Sequence, residues 1–297
     1  MKTGLVWDER YMWWDTRHGA AFMPAGGWLE PGEHAENPST KRRFKNLLDV
    51  SGMADHLVPL KPRMATVEEV ERYHTPEYVK RMKELSDAGG GDAGEITPFG
   101  AGGFEIALLA VGGTLTAIEK TLDGTVDTAY ALVRPPGHHA QKDLGRGFCM
   151  FSNAALGAAH ARQALGLDRV AVVDWDVHHG NGTQWAFYDD PTVLTVSLHQ
   201  DKYFPPDSGM IAENGEGAGE GANVNVPLPA GSGVGAYSSA FERVVIPALE
   251  RFKPQLLIIA SGLDASALDP LARQQMHSDG YRDLTRQLMD VMASIGG

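Results

Sequence analysis

The chain has 297 residues, with 26 Lys plus Arg against 38 Asp plus Glu and a formal net charge of −12 with histidine neutral. That balance argues against nucleic acid as the main partner, because phosphate backbones are gripped by clustered Lys and Arg, and it suits a cationic or neutral ligand instead. A hydrophobic fraction of 43% excludes a disordered chain, and the single cysteine, Cys149, excludes an internal disulfide and a cysteine-built metal site.

Val6 to about Thr40 is rich in Trp, Gly, Pro and charge without periodicity, and reads as a short strand followed by a long loop. Trp13, Trp14 and Trp28 in it need burial, against the body or a second subunit, which admits a homo-oligomer. Helix starts follow: Thr66 with Glu69 forms a capping-box pattern, and Thr75-Pro76-Glu77 sets a cap, a first-turn proline and an acid in order. A longer helix is expected over Phe104 to Leu122 and another over Asn153 to Leu165, ended by Gly166.

Four short apolar runs, Thr128 to Val133, Val170 to Val177, Val193 to Leu198 and Gln255 to Ala260, suit strands buried on both faces. Helical segments between them, such as Asn153 to Leu165 and Val234 to Phe252, predict βαβ crossovers and a parallel sheet. With no linker between halves, the reading is one domain over residues 1–297, of α/β class. The Gly-rich stretch Gly209 to Gly221 has no phosphate-loop pattern and reads as a flexible surface loop. The most apolar stretch, Ile106 to Ile118, is broken by Gly and Thr, so no membrane partner and a cytoplasmic location are expected.

In open parallel sheets ligands bind beyond the carboxyl ends of the strands. Those ends read Arg134-Pro135-Pro136-Gly137-His138-His139, Asp174-Trp175-Asp176-Val177-His178-His179-Gly180-Asn181, Ser197-Leu198-His199 and Ser261-Gly262-Leu263-Asp264. Asp174, Asp176 and His178 are spaced two apart, so strand alternation points all three to one side and two of them can ligate one ion. Asp264 can supply a third ligand, and three protein ligands with an open position are the arrangement of a catalytic zinc site.

These segments, RPPGHH, DWDVHHGNGT and SGLDASALDP, resemble the signatures of zinc-dependent histone deacetylases, in particular the class II and bacterial amidohydrolase branch related to acetylpolyamine amidohydrolases. The resemblance implies the arginase-deacetylase fold, with a central mostly parallel sheet flanked by helices. It implies Zn2+ on Asp176, His178 and Asp264, with His138 and His139 as a tandem catalytic pair, Asp174 bonded to His138, and Asn181 where some relatives carry Asp. Because a carboxylate partner favours the charged form of a histidine and a neutral amide does so less, His139 is expected to be the general base. The resemblance further implies an acyl-lysine tunnel at Gly147, Phe148 and Phe204, a gatekeeper at Leu271, and a structural K+ site at Asp174, Asp176, His178, Ser197 and Leu198. Gly137 would let backbone approach, and Cys149 would be a buried inert thiol.

The expected reaction is hydrolysis of an acylated lysine peptide or small acylated amine by metal-activated water, in a bacterial protein. A binuclear ureohydrolase shares the implied fold, but Gly180 and Ser266 stand where it would need Asp, which favours one metal. An acetylpolyamine amidohydrolase also suits the acidic charge, yet Leu271 offers no ion pair to a polyamine. A helix over Asp279 to Ser294 runs to Gly296 and Gly297 without the strand and Gly-Gly-Tyr loop of the family, so a sheet lacking its C-terminal strand is expected. The reading preferred is a C-terminally truncated catalytic domain, ahead of a non-enzymatic one, an inactive acyl-ligand-binding fragment or pseudoenzyme, with Tyr281 in a helix and not promoted as a substitute.

Overall fold

Strand β1 (Thr3–Val6) lies between two parallel neighbours, β2 (Leu57–Leu60) and β3 (Thr128–Ala131), with Val6 opposite both Leu60 and Ala131. The structure, a computed structural model, describes all 297 residues, and the chain divides into two compact units, Met1–His160 and Ala161–Gly297. In the first unit, α1 (Pro38–Val50) rests its Phe44 ring on Tyr130 of β3, stacked at 5.6 Å. Helix α2 (Pro76–Asp87) starts as its sequence says, with Thr75 as N-cap accepting from the Tyr78 N–H and Pro76 in the first turn. The capping box of Thr66 and Glu69 is likewise formed, both halves present.

Helix α3 (Gly103–Leu122) is apolar nearly all round and buried along most of its length, which is how a helix hydrophobic on every face must sit. Gly112 shows why a small residue is needed on it: an added Cβ would stand 2.0 Å from the Arg63 carbonyl oxygen. The Asn153 helix, α4 (Asn153–Gln163), spans the boundary between the units.

In the second unit four strands run parallel in the order β6-β5-β4-β7, where β4 is Val170–Asp174, β5 Val193–Gln200, β6 Asn223–Leu228 and β7 Leu256–Ala260. Every residue of β4 and β5 is buried, as a sheet covered on both faces requires. Helix α5 (Asn181–Ala186) follows β4, and α6 (residues 234–252) and α7 (Ser278–Ile295) pack on the sheet. Their core joins Val173 and Val196 to Trp175, Tyr237, Phe241, Leu249, Leu284 and Leu288. Helix α6 carries a π-helical turn over Phe241–Val245, next to Pro247, which has no N–H to give to the preceding turn. No helix is long and apolar enough to cross a membrane.

Several expectations need correction. Strand β4 stops at Asp174, not Val177, because the Asp174 and Asp176 carboxylates take the N–H groups of Asp176 and His178 and turn the chain out of the ladder. Of the three tryptophans only Trp14 is buried; Trp13 is 75% exposed and Trp28 fully so. The long N-terminal loop contains a small antiparallel ladder around Gly19. Residues 209–221 are tied down, with the Gly209 N–H on Glu213 and Gly219 buried, where the sequence suggests a free loop. Strands β2 and β6, short and interrupted by Pro or Asn, are absent from the sequence reading.

Candidate functional site

In the second unit the C-terminal ends of β4 and β7 bring three ligating groups together. Asp174 stands opposite Ala260 in the register, so the segments that follow the two strands leave the sheet side by side. The donor atoms of Asp176, His178 and Asp264 all lie within 4.8 Å of one another. His178 Nδ1 is 3.0 Å from Asp176 Oδ1 and 2.9 Å from Asp264 Oδ2. The second oxygen of Asp264 accepts from the Val177 N–H at 2.8 Å, which fixes the carboxylate, as the Trp175 Nε1–H bond to Ser261 fixes the loop that carries it.

Two glycines make this convergence sterically feasible. A Cβ on Gly262 would fall 2.1 Å from Asp176 Oδ2, and one on Gly180 would fall 2.3 Å from Asp174 Oδ2. Neither glycine is marked by any composition signal beyond its place next to a ligand.

The electrostatics fit a cation. Burial alone would depress the His178 imidazole, but hydrogen bonds to Asp176 and Asp264 outweigh it and hold the ring well above its ordinary value. Burial and the neighbouring Asp176 charge push the Asp264 carboxyl up, against the opposing pull of His178. Two crowded carboxylates therefore draw a proton to the ring between them, and a divalent ion in the same place would supply that positive charge. Two carboxylate oxygens and one imidazole nitrogen are a donor set that zinc accepts.

Around the triad, Tyr203 stacks on the His178 ring at 5.8 Å and Phe204 stands edge-on to it at 6.0 Å. The Phe204 carbonyl accepts from the His179 N–H at 3.0 Å. Leu271 is half-buried, its N–H on Asp269 Oδ1 at 2.8 Å. Asn181 is buried at the start of α5. Asp174 and Ser197 are register partners, and Leu198 is buried on the same strand. The Ser197 hydroxyl donates to His199 Nδ1, since the other ring nitrogen of His199 gives its proton to the Gly209 carbonyl.

One buried network here escaped the sequence reading. His179 donates from Nε2 to Gln184 Oε1 at 3.0 Å and accepts at Nδ1 from Ser208 at 2.8 Å, while Gln184 also meets Glu213, Asn223 and Asn225. Its polar members are scattered between residues 179 and 225, so no spacing announces it.

In the first unit, His138 and His139 are both buried, their rings 3.9 Å apart. The segment is anchored at its start by Arg134, which is fully buried, bonds both oxygens of Glu36 at 2.5 and 2.9 Å, and donates to the Tyr11 carbonyl. It is anchored further on by Asn153, whose amide donates to the Pro135 carbonyl and whose backbone N would lie 2.4 Å from a Cβ on Gly137. Gly147 and Phe148 both have positive φ, 52° and 73°, in a turn held by N–H bonds to the Glu95 and Ile96 carbonyls. Cys149 is buried, its Sγ bonding the Gly147 carbonyl at 3.4 Å.

A family profile described as the histone deacetylase domain matches residues 34–297. A histone deacetylase-like amidohydrolase of Pseudomonas aeruginosa is 48% identical over 97% of this chain and 77% of its own. The human polyamine deacetylase HDAC10 is 36% identical over 90% of this chain and 41% of its own. The crystal structure of the HDA15 HD domain superposes with a TM-score of 0.90 at 35% identity, covering 98% of this chain and 81% of that one.

Proposed function

The chain belongs to the histone deacetylase family and has the amidohydrolase function of that family, and from this we propose that it is a zinc enzyme that removes acetyl groups from acylated lysine or a related amine. The observation that carries the reading is the convergence of Asp176, His178 and Asp264 on one point in a chain of this family. These three would hold the ion. When bound, zinc supplies Lewis-acid polarisation of the acyl carbonyl and lowers the pKa of water.

The rest of the chemistry belongs to the chain's own residues. His139 takes the proton from the attacking water, and His138 returns one to the leaving amine; Asp174 and Asn181 orient and bias the two rings. Phe148 and Phe204 line the acyl tunnel with Gly147, and Leu271 stands at its entrance. The backbone of Asp174, Asp176 and His178, with Ser197 and Leu198, would hold a structural potassium ion. One catalytic domain is supported by a family match that runs across both compact units.

A second reading rests on the net charge of −12 and on the relative named a polyamine deacetylase. Against it stands Leu271, which gives an ammonium nothing to pair with. Acetate release from an acetyl-lysine peptide and from an acetylpolyamine, measured side by side, tests the assignment. Faster turnover of the peptide supports it, faster turnover of the polyamine transfers the function to the second reading, and no turnover of either refutes both.

A further inference from the structure

His34 is 3% exposed, and its Nε2 has neither solvent nor a hydrogen-bond partner. A buried polar nitrogen with nothing to meet is costly and calls for an account. Its other ring nitrogen, Nδ1, lies 3.1 Å from the Glu36 backbone N and 3.3 Å from the Glu36 carbonyl oxygen. The amide contact is the shorter, and the carbonyl already accepts from the Thr16 hydroxyl at 2.7 Å. A backbone amide can only donate, so Nδ1 carries the lone pair and the proton sits on Nε2.

The ring has one further aromatic neighbour. Phe148 lies perpendicular to His34, centroids 4.9 Å apart at 79°. A ring N–H directed at an aromatic face is a weak but real hydrogen bond. Phe148 has a φ of 73°, in the left-handed region for a side-chain-bearing residue, and the preceding Gly147 offers its ring no side chain to pack on.

His34 is itself rigidly placed. Its carbonyl accepts from Asn37 Nδ2 at 2.9 Å, and the Glu36 carboxylate is clamped by Arg134, the residue that opens the His138–His139 segment. A continuous line of contacts within the first unit thus runs from Arg134 through Glu36 and His34 to Phe148.

We propose that His34 is a positioning residue: its Nε2–H holds the Phe148 ring at one angle and so limits the size of acyl group accepted. This rests on the deacetylase reading for its consequence, and on geometry alone for the contact. His34 touches Phe148, not the reacting atoms. Burial, which outweighs the Glu36 contacts, lowers its pKa, so the ring is neutral at neutral pH and holds one tautomer.

The test has two arms on the full chain. In long-range 1H–15N spectra at pH 7, with His34→Gln used for assignment, the His34 ring should be neutral and protonated on Nε2; protonation on Nδ1 overturns the contact. In the second arm, kcat/KM is measured for acetyl-lysine and butyryl-lysine peptides with wild type, His34→Ala, His34→Phe, Phe148→Leu and the His34→Ala/Phe148→Leu double variant. The butyryl-to-acetyl ratio should rise about fivefold in His34→Ala, the scale of one aromatic contact. It should rise in the same direction in His34→Phe, which keeps a ring to support folding but has no N–H. Adding His34→Ala to Phe148→Leu should change the ratio no further. Equal losses on both peptides with an unchanged ratio would reduce His34 to packing and overturn the proposal. If wild type hydrolyses neither peptide, the deacetylase reading and the acyl-size claim fail together, and the tautomer still decides the contact.

Discussion

His178 Nδ1 lies 2.9 Å from Asp264 Oδ2, so an imidazole that follows β4 and a carboxylate that follows β7 meet beyond adjacent parallel strands. With Asp176 they form a centre whose charge is unbalanced unless something positive occupies it. A proton on His178 answers that demand in the absence of metal.

Metal binding should therefore displace that proton. Because Asp176 and Asp264 raise His178, the ring is protonated at neutral pH before the ion arrives and must be neutral afterwards. Zinc titration of the metal-free protein by calorimetry, in buffers of different ionisation enthalpy at pH 7, should show release of about one proton per ion. Binding without proton release would mean that His178 is not raised, or not a ligand.

The glycine beside the ligand gives a steric prediction. In Gly262→Ala the new methyl would stand 2.1 Å from Asp176 Oδ2, too close for either group to stay. We expect zinc affinity to fall about 10- to 100-fold, as it does when ligand orientation is disturbed, with the melting temperature nearly unchanged. Unchanged affinity by chelator competition would show that the backbone at 262 yields freely.

His74 makes stability depend on pH. It is 1% exposed, accepts at Nε2 from the Ser152 N–H at 3.0 Å, and burial pushes it down to about 4 from 6.5. Between those values the unfolded chain binds a proton that the folded chain refuses, so this contribution is complete above about 6.5 and is lost as the pH falls toward 4. The whole loss is about 3 kcal/mol. Urea unfolding from pH 7.5 to 4.5 should show the decline in wild type and a flatter profile in His74→Gln; parallel profiles would contradict it.

For the paired histidines, His139→Ala should lower kcat by about a hundredfold to ten-thousandfold, the range of a positioned general base, with bound zinc unchanged. Steady-state kinetics and metal analysis on the same preparation check this. Loss of zinc in that variant would reassign His139 as a ligand.

Much of the triad is legible in the sequence because two of its members, Asp176 and His178, lie in one short run, DWDVHHGN, and Asp264 closes a second, SGLD. Their grouping into Asp176, His178 and Asp264 follows from residue chemistry at strand ends, though strand alternation is the wrong reason for it. The chain leaves the ladder after Asp174, and side-chain bonds to backbone N–H groups aim Asp176 and His178. Buried strands are readable where an apolar run opens them, as Val170 to Val173 does in β4 and Val193 to Leu198 largely does in β5, and unreadable where Pro59 or Asn223 interrupts the pattern. The Glu36–Arg134 pair and the His34–Phe148 contact join residues about a hundred positions apart, and no local spacing encodes such a meeting.

The central claim is that one ion on Asp176, His178 and Asp264 drives amide hydrolysis. Acetate release from an acetyl-lysine peptide, followed while metal-free protein is titrated with zinc, tests it most directly. Activity should rise linearly to one equivalent of zinc and stay absent at every ratio in Asp264→Asn. Activity that needs two equivalents, or that persists in Asp264→Asn, would contradict the account.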